Sequence, residues 1–319
     1  FMPREPLEDS EGFVTEVCWR YYVNGQTQAE VARDMGVTRL RVNQAIQKAK
    51  SLGLVKIQIE SPFVTRLEAQ KRLEQAGVGK ALVVPVDHNN YDYHAPVGAA
   101  LAHYLTATLK TEPWKRIGVS WGVTLQRAME RLPLHSLPDL EILALMGGTA
   151  AGSSFNAFSI ASGFAERFDA NYSHLVAPIY LPDDVDKDVF LSQEIYASHI
   201  ERCLSADAAL LVVGDVSDLS FMVKYGLPGD LTMQELRDAG AVGDVLGRFL
   251  DADGNEIDHP LNERTVGVDL NALADIPNKI LTAAGKHKVP IIHAAIKRGL
   301  VDTLVTDDLT ADILLERMT

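Results

Sequence analysis

The 319-residue chain has only two cysteines, Cys18 and Cys203. Neither has a second Cys or a His at ligand spacing, so a disulfide scaffold and a zinc finger are both excluded, and two reduced thiols are expected. Long apolar runs are missing too. The longest, such as Ala208–Val213 and Ala81–Val84, have the length of strands and fall far short of the ~20 residues of a membrane span. No basic-then-apolar leader opens the chain, and together these absences give the expectation of a cytoplasmic protein that does not enter a membrane. There is no G-x-x-x-x-G-K-[ST] and no G-x-G-x-x-G after the first strand, so no nucleotide signature is present, and no metal or other cofactor is expected. Basic residues are also in short supply, with 30 Lys+Arg against 43 Asp+Glu and a net charge of -13, which taken as an average argues against nucleic acid. What the chain does have is an ordinary globular composition, 47% hydrophobic and 23% charged, which excludes a disordered or collagen-like protein.

The charge is unevenly spread. Between Arg20 and Gln58 seven basic residues face only Glu30 and Asp34, a local net of +5 that leaves -18 on the remainder. A basic module on an acidic body is the arrangement of a protein in which one part meets a polyanion. Within that module, Phe13, Val17 and Tyr21 have helical spacing, and Asn24-Gly25 ends the helix. Thr27 and Glu30 form a capping box for a second helix, broken at Gly36-Val37. Thr38 then caps a third, whose Val42, Ala45, Ile46 and Ala49 make one buried stripe. Its other residues, Arg39, Arg41, Gln44, Gln47, Lys48 and Lys50, suit a recognition helix, with Thr38 at the tip and Gln28 on the helix before it. Val55–Ile59 alternates as a wing strand. The sum is a winged helix-turn-helix over residues 1–60, with solvation of an ordinary amphipathic unit as the plain alternative.

Pro62 marks a boundary, and residues 61–79 read as a linker helix that either joins two copies or packs on the larger domain. From about Lys80 to residue 319, short apolar runs (Ala81–Val84, Ile117–Ser120, Ile142–Met146, Leu175–Ala177, Leu210–Val213, Leu304-Val305) alternate with helical patterns. That alternation predicts a doubly wound, mostly parallel α/β sheet, in which ligands bind beyond the carboxyl ends of the strands. Three of those ends are rich in small residues: Ser120–Thr124, Gly147–Ser154 and Gly214-Asp215. Such loops let backbone N–H groups approach a small polar ligand.

At this point the chain resembles the SorC/DeoR-type sugar-binding transcriptional regulators of bacteria over nearly its whole length. The resemblance rests on Gly25–Ala32, Ile117–Gly122, Ala241–Phe249 with Asp251–Gly254 after it, and Gly299–Asp307. It implies an effector domain similar to the sugar-phosphate isomerases and deaminases, operator DNA as partner, and a homodimer or homotetramer. Carried over residue by residue, it implies an effector pocket made by Ser120, Trp121, Gly122, Gly147, Gly148, Thr149, Asp244 and Lys288. An Asp such as Asp244 accepts two hydrogen bonds from neighbouring hydroxyls, although a helix cap is its plain alternative, and Lys288 offers an ammonium. Where phosphate-binding members carry an arginine before a proline, this chain has Ser173. That departure favours a free sugar alcohol over a phosphate ester, and the whole looks similar to the branch that regulates erythritol-type polyol catabolism.

The fold also hosts enzymes. Val213–Asp218 stands where the deaminases carry an Asn-Gly-His run, and no His is present; Asp215 and Asp218 remain as candidate bases. The expectation is a regulator with no catalytic residues, and the alternative is a sugar-phosphate isomerase or deaminase.

Overall fold

The computed structural model of the chain describes residues 10–55, 62–149 and 155–318. It divides into two compact units, Phe1–Ser61 and Pro62–Thr319.

The first unit is a helix-turn-helix. Helix α1 (Glu11–Cys18) is capped by Ser10, whose Oγ accepts from the Phe13 N–H, and runs on into a wider π turn over Trp19–Val23. Helix α2 (Gln28–Met35) has both arms of the capping box: the Glu30 N–H donates to Thr27 Oγ1, and the Thr27 N–H donates to Glu30 Oε2. Gly36 then takes a left-handed conformation (φ 65°), which glycine adopts without steric cost, and frees the chain to turn. Helix α3 (Arg39–Ser51) is capped by Thr38 and buries Val42, Ala45, Ile46 and Ala49 against Val14, Val17 and Val31. Apart from Val55, the expected wing strand lies outside the described residues.

The second unit opens with helix α4 (Pro62–Gln75), which belongs to the body: Ala69 and Leu73 are buried in the same core cluster as Ala81 and Val83. Among the described residues ten strands follow, with β1 at Lys80–Val84, β2 at Arg116–Val119, β3 at Glu141–Ala144, β4 at Asn171–Ser173 and β5 at Ala208–Leu211. After these come β6 at Val213-Gly214, β7 at Gly243–Val245, β8 at Arg248–Leu250, β9 at Asn278–Thr282 and β10 at Thr303–Asp307. Seven form one parallel sheet in the order β1-β10-β9-β5-β2-β3-β4. Both faces are covered, which is why these strands are nearly all apolar. Ile117, Val119, Ile142 and Leu210 pack on one side, and Leu143, Leu211, Leu281 and Leu304 on the other. The helices α5 (His94–Thr108), α6 (Val123–Arg131) and α7 (Ala157–Phe168) connect the first half. The remaining strands form a small antiparallel sheet, β6-β7-β8.

Two details differ from the sequence expectation. The strand expected at Leu175–Ala177 is formed earlier, at Asn171–Ser173, an edge whose polar residues and half-exposed Tyr172 hide the apolar signal. Strand β9, near the middle of the sheet, is not anticipated at all, because only Ile280 and Leu281 in it are strongly apolar. Its buried Lys279 is satisfied by the Ile276 carbonyl (2.9 Å) and by Asp302 (2.8 Å).

Edge strand β1 leaves N–H groups with no strand partner. Helix α4 supplies acceptors for two of them: Gln70 Oε1 takes the Val83 N–H (3.0 Å) and Glu74 Oε1 takes the Ala81 N–H (3.1 Å). Gln70→Ala should therefore cost about 1 kcal/mol of stability, measured by urea denaturation of the full chain; an unchanged midpoint would show the edge needs no cap from this residue.

Candidate functional site

The order of the large sheet reverses direction between β2 and β5. From β2 the chain proceeds outward to β3 and β4, and β5 then returns to the other flank of β2. Loops leaving such neighbouring strands diverge and leave a crevice between them. Here the crevice is a partly open pocket. Its walls come from Ser120–Thr124 after β2, Val212–Asp215 after β5, Asp244 and Leu246 of the small sheet, and Lys288, with Phe155 and Phe221 as an apolar side.

The two diverging loops are tied at their base: Ser120 Oγ, fully buried, accepts the Val212 N–H at 3.1 Å. Gly122 starts α6 with φ 135°, a conformation that a side chain would strain, and a Cβ there would also press on Val212. Trp121 is buried and leans towards Phe155, which packs in turn on Phe221 and Tyr225.

Charge gives the pocket its chemistry. Asp244 on β7 is only 4% exposed, and its Oδ2 accepts the Gly247 N–H at 3.0 Å. Its other oxygen sits over Gly214, so close that a Cβ on residue 214 would fall 2.0 Å from it. Burial pushes the Asp244 carboxyl up to about 6, against the opposing effects of the Gly247 N–H and the Lys288 ammonium. Asp215, also buried, accepts the Ser217 N–H at 3.0 Å. Lys288 stands on a short 3₁₀ turn before the Val289–Lys297 helix, and burial lowers its ammonium despite the attraction of Asp215 and Asp244. Its Nζ makes no hydrogen bond with any described residue. Two buried carboxylates and one ammonium thus face a common space without closing on one another. At the far wall His94 Nδ1 lies 2.9 Å from Thr124 Oγ1, and burial, with Lys288 second, drives its imidazole down to about 4, so it is neutral at physiological pH. His287 stands outside Asp215 at 4.0 Å.

Of the residues named for an effector pocket, the structure brings together Ser120, Trp121, Gly122, Asp244 and Lys288. Gly147, Gly148 and Thr149 are placed elsewhere. The Gly147 and Gly148 N–H groups already donate to the Val266 and Ala177 carbonyls, and a Cβ on Gly147 would lie 2.3 Å from the Pro178 carbonyl oxygen. Their glycines serve close backbone packing, and neither N–H is available to a ligand in the pocket. Thr149 is held by Asn156, and Ala150–Ser154 lies outside the described residues. Ser173 is likewise away from the pocket, hydrogen-bonded to His199 and Arg202, so its departure from the arginine of phosphate-binding relatives has no bearing on this cavity. Asp218, the second candidate base, pairs with Arg237 on the surface. Two wall residues, His94 and Phe155, carry no motif and come from segments apart in sequence; the strand-end position of Ser120–Thr124 and Gly214-Asp215 marks part of the wall in advance.

On the other unit, Thr38, Arg39, Gln44, Gln47 and Lys50 are exposed on α3, and Arg41 and Lys48 are half-buried. The Arg41 guanidinium lies 5.1 Å from the centroid of the Phe13 ring, which steadies it beside the helix. Gln28 opens α2 and is half-buried.

A basic helix-turn-helix followed by an α/β body with a charged pocket at its switch point is the organisation of a ligand-responsive DNA-binding protein. The model of the family described as "Putative sugar-binding domain" matches residues 61–316. The chain is 30% identical over 303 residues to the "Deoxyribonucleoside regulator" of Bacillus subtilis, covering 92% of this chain and 94% of the relative. It is 25% identical over 307 residues to the "Erythritol catabolism regulatory protein EryD" of Brucella abortus, covering 96% of each. The solved full-length sorbitol operon regulator SorC of Klebsiella pneumoniae shares the fold, with a TM-score of 0.71 over 96% of this chain and 99% of that one at 24% identity. The chain belongs to the SorC/DeoR-type family of sugar-binding transcriptional regulators. No helix among the described residues is long and apolar enough to cross a membrane.

A raised carboxyl has a measurable consequence. Between about pH 4 and pH 6 the folded protein holds a proton on Asp244 that the unfolded chain has released, so this group's contribution is full below that window and is lost as pH rises through it. Asp244→Asn should accordingly raise stability at pH 7 by about 2 kcal/mol and flatten the pH slope across the window, read by urea denaturation at a series of pH values; a loss of stability at pH 7 would contradict the assignment.

Proposed function

We propose that the pocket at the ends of β2 and β5 binds a neutral polyhydroxylated effector, a free sugar or sugar alcohol, and that its occupation changes how a homodimer or homotetramer holds operator DNA through α3. The observation that carries this reading is the Lys288 ammonium, which has no hydrogen-bond partner among the described residues and stands near the buried carboxylates of Asp215 and Asp244. A hydroxyl donates to a carboxylate and accepts from an ammonium, so a chain of vicinal hydroxyls completes all three groups at once. A phosphate dianion fits the same space poorly: a single ammonium would have to outweigh two buried carboxylates, with no guanidinium on the wall. Two of the relatives, the erythritol and sorbitol regulators, bear names of the polyol class, while a third is named for a deoxyribonucleoside.

The response follows from where Asp244 is tied. Its Oδ2 holds the N–H of Gly247 in the Leu246-Gly247 turn between β7 and β8, where Leu246 is forced to φ 52°. A ligand that draws on the same carboxylate alters the balance that holds this strained turn. The shift in DNA affinity is bounded by the ligand's preference between the two arrangements, typically ~1–3 kcal/mol. The relatives are named as regulators, and we assign no catalytic residue. Such a regulator works in the cytoplasm, where its operator lies.

A thermal-shift screen of the full chain over free and phosphorylated sugars and polyols tests the reading. A neutral polyol of about four to six carbons should raise the melting temperature and change operator affinity over the same concentration range, and stabilisation by phosphate esters alone would overturn it. Gly214→Ala, whose new Cβ meets Asp244 Oδ1, should remove the ligand response and leave basal DNA binding intact. An undiminished response would place the ligand elsewhere.

A further inference from the structure

Helix α3 carries an apolar residue in the middle of its polar face. Leu40 is 67% exposed. A lone exposed leucine is ordinary on a protein surface, and only its position gives it meaning. The helix turns about 100° per residue, so Leu40, Gln44 and Gln47, at i, i+4 and i+7, run directly opposite the buried stripe of Val42, Ala45, Ile46 and Ala49. Arg41 and Lys48 lie on one side of that line, with Arg41 held against Phe13, while Arg39 and Lys50 lie on the other with Asn43. The helix therefore has a cation-free centre between two cationic flanks.

The major groove of B-DNA is about 12 Å wide, which is the diameter of a helix with its side chains. When a recognition helix lies in it with its first turn towards the bases, the residues opposite the core face the base edges and those on the flanks meet the phosphate walls. We infer that Leu40 and Gln44 read an adjacent thymine and adenine in each operator half-site, Leu40 through the thymine methyl group and Gln44 through adenine N6 and N7, while Arg39, Arg41, Lys48 and Lys50 hold phosphates. The chemistry is specific. No arginine or lysine stands on the central line, so the commonest guanine contact is absent there, whereas a glutamine amide pairs with adenine and an apolar side chain with a methyl. This gives Arg41 a phosphate and not a base, and it rests on the reading that the chain binds DNA through α3.

The experiment selects a randomised duplex library on the full-length protein and titrates the enriched duplex and its single-base variants against the wild type, Leu40→Ala, Gln44→Ala and Arg41→Ala. The enriched half-site should contain a thymine whose replacement by deoxyuridine, which removes only the methyl, weakens the wild type about fourfold, and Leu40→Ala should bind the two duplexes equally. Gln44→Ala should lose its preference for adenine over guanine at a neighbouring position. Arg41→Ala should weaken every sequence alike and lower the salt slope by about one. The assignment is overturned if Leu40→Ala keeps the wild-type discrimination between thymine and uracil, or if Arg41→Ala changes the preferred base. Enrichment of no sequence at all would overturn the DNA-binding reading along with it. Leu40 is exposed, so its truncation leaves the core of the unit untouched, and equal melting temperatures of variant and wild type check this.

Discussion

The reversal of strand order between β2 and β5 is the constraint on which the rest of the body depends. Two parallel neighbours that end side by side cannot send their chains into the same space, so Ser120–Thr124 and Val212–Asp215 must part. The Ser120 hydroxyl on the Val212 N–H keeps the parting narrow, and the small sheet β6-β7-β8, which continues almost directly from β5, closes one side with Asp244. The pocket is therefore a product of topology first and of side chains second.

Within it, the protein keeps charges that it does not neutralise. Asp244 and Asp215 are withdrawn from water and Lys288 partly so, the three are left facing one another at a distance, and burial shifts both Asp244 and Lys288 towards their uncharged forms. An apolar or fully paired site would hold the same fold at lower cost. That cost is in keeping with the proposed role, a site for a partner with both donors and acceptors, as hydroxylated molecules have.

Much of this was readable before any coordinates. The capping box at Thr27 and Glu30, the left-handed turn at Gly36 and the buried stripe of α3 are local signals, and local signals survive folding unchanged. The alternation of apolar runs likewise gave the parallel sheet, while β9 and β4 escaped it: the first hides a lysine that finds its partners only in the fold, and the second is a polar edge. The pocket was half legible. Ser120 and Asp244 come from matching stretches, and Thr124 and Asp215 from strand ends marked in the sequence, but His94 and Phe155 join them only through a sheet that brings distant segments to one place. Glycine is ambiguous in one instance, since a run such as Gly147-Gly148 looks the same whether it yields to a ligand or, as here, to the backbone of Ala177 and Pro178.

The contact between Gly214 and Asp244 has a consequence beyond the single protein. The two residues are register partners across β6 and β7, and the carboxylate occupies the volume that a side chain on residue 214 would need. They are consequently not independent positions for substitution in this chain. A lineage that gives up glycine at the first must move or surrender the acid at the second, and one that loses the acid is released to accept alanine or serine in its place. Regulators of this fold that sense different ligands should fall into two groups along that pair, with few intermediates between them.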